Sequence, residues 1–228
     1  MTDPFKEYKD KYGLVHGAKG SISQNGIRFT AEAVAAMQGR TGDWIDQRLE
    51  CYSALRLCEP SQNGFLIRHP EKPDDQISID CFVGWGLASF YLSPLMSMRV
   101  LYRLQKCWYF NVNDQKVWWK GFLGRFPQLL AHLHFAAGMK APLFQRLWWV
   151  ATVLLSTRAE AKDQDAWALS WALVVVAQDQ KGMVQWARQK WINKFKEVHP
   201  EGMGKVLGDY FNNPKHPSAI GLRGHFGE

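Results

Sequence analysis

Cysteine is scarce in this chain: Cys51, Cys58, Cys81 and Cys107 are its four, none belongs to a CxxC pair, and all sit among apolar neighbours. That pattern argues against a disulfide framework or a zinc ribbon and leads us to expect buried, reduced thiols of an intracellular protein. The spacings HExxH, GxSxG and GxxxxGK[ST] do not occur. Zinc-protease, nucleophile-elbow and phosphate-loop chemistry each need one of them, so none of the three is expected. No segment alternates apolar and polar residues as a half-buried strand does, and no fixed-period repeat marks a solenoid. Long apolar runs are almost lacking. Cys81 to Met98 is uncharged and approaches the about 20 residues that span a bilayer. It is interrupted by Gly84, Gly86, Ser89, Ser93 and Pro94, so buried core and no membrane span are expected. The first residues, MTDPFKEYKDKYG, carry charges throughout and no apolar stretch, which leads us to expect no secretory signal and a cytoplasmic protein.

What the chain does have is apolar and aromatic bulk. With 46% hydrophobic and 21% charged residues over 228 positions, it can bury enough surface to offset its ordering entropy, and one domain is the default at this length. Eleven Trp, 13 Phe and 7 Tyr supply large buried areas in a core and sugar or protein contacts on a surface. The net charge of +7 and pI near 9.2 favour acidic partners.

The apolar periodicity predicts an all-α fold, an irregular multi-helix bundle or partial α/α array of antiparallel helix pairs. We expect an extended arm over 1–24 and a short helix from Thr30 to Met37. Thr41 or Asp43 opens a stronger helix to Leu57 with Trp44, Cys51, Leu55 and Cys58 on one stripe. Helices are expected over 79–91 and 95–107, broken at Pro94 because the residue before a proline is driven from the helical region. Further helices are expected over 129–137, 143–155, 165–179, 183–198 and 203–211, then a coil tail over 212–228. Two irregular stretches, 61–78 and 109–127, are long enough to carry function.

Candidate chemistry begins with His132 and His134, which on a helix point roughly 200° apart and so do not form a metal pair; no metal or cofactor is expected. Glycoside hydrolysis needs an acid and a base held apart beside aromatic platforms. Glu32 and Asp80 flank loops, and Trp85, Trp118 and Trp119 are candidate platforms. The same carboxylates stand in first turns of expected helices, where the helix dipole favours negative charge without catalysis. A basic segment, Arg188, Lys190, Lys194, Lys196 and Lys205 with Trp186, raises nucleic-acid binding as a further reading.

NGIRFTAE at 25–32, GFLIRHP at 64–70, SIDCFVG at 78–84 and YFNNPKHP at 210–217 resemble an uncharacterised family of tailed-bacteriophage proteins. The family pattern has an Asp-Asp-Tyr helix start; here Ile79-Asp80-Cys81-Phe82 stands in its place, with one acidic residue and the tyrosine missing. The resemblance implies a phage origin and groups Asn25, Glu32, Arg68, His69 and Asp80 into one cluster.

Together these features lead us to expect a phage protein of the host cytoplasm or virion that binds or hydrolyses a host carbohydrate. Glu32 and Asp80 would be acid and base, and Asn25, Arg68, His69, Trp85, Trp118 and Trp119 would hold substrate. The alternative is a non-enzymatic protein that contacts a host or virion protein.

Overall fold

The computed structural model describes residues 9–14, 29, 44–73, 77–107, 125–203 and 205–206. Among them are seven α-helices: α1 (Trp44–Leu57), α2 (Ile79–Leu92), α3 (Pro94–Cys107), α4 (Phe126–Ala136), α5 (Leu143–Ser156), α6 (Gln164–Val175) and α7 (Met183–Val198). No strand occurs among the described residues, and His69 pairs with Lys72 in an isolated bridge. The expected all-α bundle is the fold. The expected helix 30–37, the aromatic stretch 109–124 and the tail 212–228 lie outside the described residues, and the helix expected from 203 is described only to Val206.

The uncharged run from Cys81 is two helices. Ser93 leaves the helical region, its N–H closing α2 on the Ser89 carbonyl at 2.8 Å, and Pro94 opens α3, where a missing N–H costs nothing. Cys81 through Ser89 are all buried, and no helix among the described residues is long and apolar enough to cross a membrane. Cys51, Cys58 and Cys81 are buried, as expected.

The innermost helix is α4, in which every residue except Pro127 is buried. It packs on α2, α3 and α5, while α2 touches α1, α3 and α6 as well. Two turns of sequence set its limits. Pro127 sits at its start, and Gly138, at φ +72°, ends it as a left-handed cap: Gly138 N–H bonds Phe135 O at 2.9 Å and Met139 N–H bonds His134 O at 2.7 Å. The crossing of α4 with α2 is close because Gly86 has no side chain. A Cβ there would stand 2.6 Å from His132 Nε2.

The long loop after α1 is fastened rather than loose. Glu59 is buried and grips Arg99 of α3 through two hydrogen bonds, Oε1 to Nε at 2.9 Å and Oε2 to Nη2 at 2.6 Å, while Oε1 also accepts the Gly64 N–H at 2.9 Å. Such a bidentate, charge-assisted pair fixes geometry as well as charge. Phe65, Leu66 and Ile67 follow into the core, with the Arg103 guanidinium 3.9 Å over the Phe65 ring. Of the expected N-terminal arm, the described part is a tight turn. Asp10 Oδ1 accepts the N–H groups of Tyr12 and Leu14 at 2.8 and 2.9 Å, and Leu14 enters the core.

Gly64 is where the loop touches α3: its φ is +91°, and a Cβ would lie 2.4 Å from the Arg99 carbonyl oxygen. Gly64→Ala should therefore cost roughly 3 kcal/mol or more in chemical denaturation, combining a forbidden φ with a backbone clash. Gly138→Ala, at φ +72° with nothing within 4 Å, should cost only about 1 to 2 kcal/mol.

Candidate functional site

Of the residues singled out in the sequence, Asn25, Glu32, Trp118 and Trp119 lie outside the described residues. Asp80 is half-buried in the first turn of α2. Arg68 is half-buried with its Nε atom lacking a hydrogen-bond partner, and no hydrogen bond or ion pair joins it to Asp80. The buried arginine-carboxylate pair that holds this loop is Arg99 with Glu59, two residues on which the sequence carries no mark.

Trp85 corrects an expectation. It is fully buried and donates its indole N–H to the Leu55 carbonyl at 3.3 Å, so it offers no face to a sugar. Its apolar area joins α2 to α1 instead. His69 is corrected in the same way. It is buried, its Nδ1 accepts the Glu71 N–H at 3.1 Å, and its Nε2 therefore donates to Asp10 Oδ2 at 2.6 Å. With both ring nitrogens engaged and Tyr12 edge-on at 5.5 Å, the imidazole pins the N-terminal turn and has no lone pair left for substrate. Burial pushes the Asp10 carboxyl up, but the His69 hydrogen bond and the Leu14 and Tyr12 N–H groups outweigh it and hold it below its ordinary value.

His132 and His134 are both interior, on different sides of α4. His132 Nε2–H reaches the Val83 carbonyl of α2 at 3.1 Å, leaving Nδ1 without a partner. His134 Nδ1–H bonds Leu130 O at 2.8 Å, and its Nε2 faces the Gln105 amide at 3.1 Å. Among the described residues no three His, Cys, Asp or Glu side chains converge as metal ligands would.

The open features gather around α5 instead. The helix LFQRLWWVATVLLS buries only Gln145, Trp149 and Val153. Leu143, Phe144, Leu147, Trp148 and Leu155 are exposed large hydrophobics; Phe144 is 58% exposed and Trp148 39%, whereas Trp149 is fully covered. On either side of this ridge lies a cleft. One, of about 280 Å³, runs between Phe144 and the Leu104, Phe126 and Leu130 side chains of α3 and α4. The other, of about 790 Å³, is bounded by Trp148 and Leu155 of α5, Leu169 and Leu173 of α6, Val83 of α2 and the start of α4. A volume of several hundred Å³ with mostly apolar walls suits ligand binding. Neither was marked by a motif. The visible signal was α5 itself, which has more apolar residues than one buried stripe needs: Leu143, Phe144, Leu147, Trp148 and Leu155 lie outside it.

Burial lowers the His132 pKa to about 4, against the raising effect of its Val83 hydrogen bond. A folded-state value below the unfolded one means that the stabilisation is complete above about pH 6.5 and is lost as pH falls toward about 4, where the unfolded chain binds the extra proton. Urea titrations should show roughly 3 kcal/mol lost across that window, and His132→Gln, which keeps the donor and removes the titration, should flatten the decline. An unchanged acid limb in the variant would assign the loss to other groups.

No protein-family model, curated protein or solved structure matches the chain.

Proposed function

We propose that the protein is a non-enzymatic interaction protein that docks an acidic amphipathic helix of another protein across the outer face of α5. The observation that carries this is the exposed row Leu143, Phe144, Leu147, Trp148 and Leu155, with a cleft on each side of it. Turns of a helix interdigitate with such ridges and grooves, and covering one exposed Leu or Phe side chain contributes roughly 2 kcal/mol. Charge supports an acidic partner. Lys140 precedes the helix, Arg146 lies within it and Arg158 follows it, Glu160 beyond is tied to Lys162 at 3.0 Å, and the chain carries +7 overall. In keeping with the phage resemblance, such a partner would be a host or virion protein.

The carbohydrate reading has less support, because Trp85 and His69 are engaged in the interior and the remaining described candidates, Arg68 and Asp80, are not joined. For nucleic acid, Arg188 of α7 donates to the Val174 carbonyl and Lys194 pairs with Glu197, which removes two of the cations that a phosphate track would use.

The test is a fluorescence titration with a labelled helical peptide bearing Leu on one face and Glu on the other. Leu147→Glu should weaken binding about tenfold or more, equivalent to about 1.4 kcal/mol, and a peptide with Lys in place of Glu should bind as weakly. Trp186→Ala, on the exposed face of α7, should change nothing. Equal affinity of wild type and Leu147→Glu would overturn the proposal.

A further inference from the structure

The larger cleft shares Trp148 and Leu155 with the ridge and adds a chemistry of its own. Its hydroxyl groups are already occupied: Thr152 donates to Trp148 O at 3.0 Å, Ser156 to Val153 O at 2.7 Å and Ser170 to Ala166 O at 2.6 Å. They soften the wall without asking for a ligand. Gln128 is different. It lines the cleft, is 2% exposed, and its amide Nε2 has no hydrogen-bond partner. A buried donor left unpaired costs about 1 to 3 kcal/mol, so an acceptor brought into the cleft recovers that amount. One helical turn earlier stands Arg125, which lines the same cleft, is exposed, and precedes the first residue of α4. No ion pair engages it among the described residues, and the helix start favours negative charge at that end. The one carboxylate among the described lining residues, Asp163, already accepts the Ala166 N–H at 3.2 Å as the cap of α6.

We infer that this cleft binds a long-chain carboxylate, its alkyl chain against Trp148, Leu155, Leu169 and Leu173 and its head group accepting from Gln128 Nε2–H and Arg125. The apolar walls supply the affinity, and the two donors select the anion. A volume of about 790 Å³ accommodates such a chain. The inference goes beyond the docking of a helix on α5: the cleft shares Trp148 and Leu155 with the ridge, but its donors Gln128 and Arg125 belong to the start of α4, and Leu143 and Leu147 take no part in it.

The experiment is calorimetric titration of the full chain, below the micelle threshold, with dodecanoate, dodecanol and dodecyltrimethylammonium. Dodecanoate should saturate one site, with dodecanol about tenfold weaker and the cation weaker still. Gln128→Leu and Arg125→Ser should each weaken dodecanoate about tenfold and leave dodecanol unchanged. Arg125 is exposed, so that variant keeps the test open if Gln128→Leu fails to fold. Ala151→Trp, which fills the cleft from α5, should abolish binding of both, whereas Leu147→Ser on the ridge should leave both intact. Absence of saturable dodecanoate binding, equal binding of the cation, or survival of binding in Ala151→Trp would overturn the inference. Loss of dodecanoate binding with helix docking intact, or the reverse, separates failure here from failure of the ridge.

Discussion

The contact between Gly86 of α2 and His132 of α4 is the constraint on which the rest of the bundle depends. A side chain on residue 86 would occupy space held by the imidazole, so only glycine lets the two helices approach this far. Proximity then allows His132 to reach the Val83 carbonyl, a group already inside a helix. The imidazole is driven neutral by the same burial. With α2 and α4 locked together, α3 and α5 pack on α4 and α1 and α6 pack on α2. Because α5 needs just one narrow stripe to complete that core, its outer face is left over. The apolar excess of α5 is therefore a consequence of where it lies, and it is what makes a binding role the natural reading.

The charged groups of the described loop and N-terminal turn serve as fasteners. Glu59 and Arg99 tie the loop to α3, Asp10 and His69 tie the N-terminal turn to the loop, and Lys9 reaches Glu50 of α1 at 2.6 Å. Each pair joins segments distant in sequence, and each uses up the hydrogen-bonding capacity that a catalytic group would need. A partly buried ion pair of this kind specifies arrangement more than it adds stability. The loop that was a candidate for chemistry is thus a strap held from within by Glu59 and His69, while Ser61, Gln62, Asn63, Glu71 and Lys72 stay exposed.

Much of the helical framework was legible. Pro94 marked the break between α2 and α3, and of the apolar residues that recur at helical spacing in α7, Val184, Ala187, Trp191 and Phe195 are buried and Val198 is half-buried. Boundaries slipped where the local chemistry was quiet. The start of α4 was expected at 129 but lies at Phe126, because Arg125 gives no side-chain cap and Pro127 reads as a stop although it suits a first turn. The end of α6 was expected at Asp179 but is Val175, since no Gly or Pro punctuates the sequence before Gly182. The site was much less legible. Aromatic abundance suggested platforms, yet Trp85, Trp149, Trp167 and Trp191 are all enclosed, with Trp191 stacked on Phe195 at 5.1 Å. The apolar residues of α5 are too many for one stripe and do not tell which of them face inward, and the pairing of Glu59 with Arg99, 40 residues apart, follows from packing alone.

Trp148 and Trp149 are neighbours in sequence and opposites in exposure, which makes them an internal comparison for the claim that the outer face of α5 is open. Hydroxyl-radical footprinting of the isolated protein, read residue by residue over a range of concentrations, measures this directly. The account predicts rapid oxidation of Trp148 together with Phe144 and Leu147, and protection of Trp149 throughout. Protection of Trp148 equal to that of Trp149 at every concentration would mean that this face is already covered, and would contradict the account.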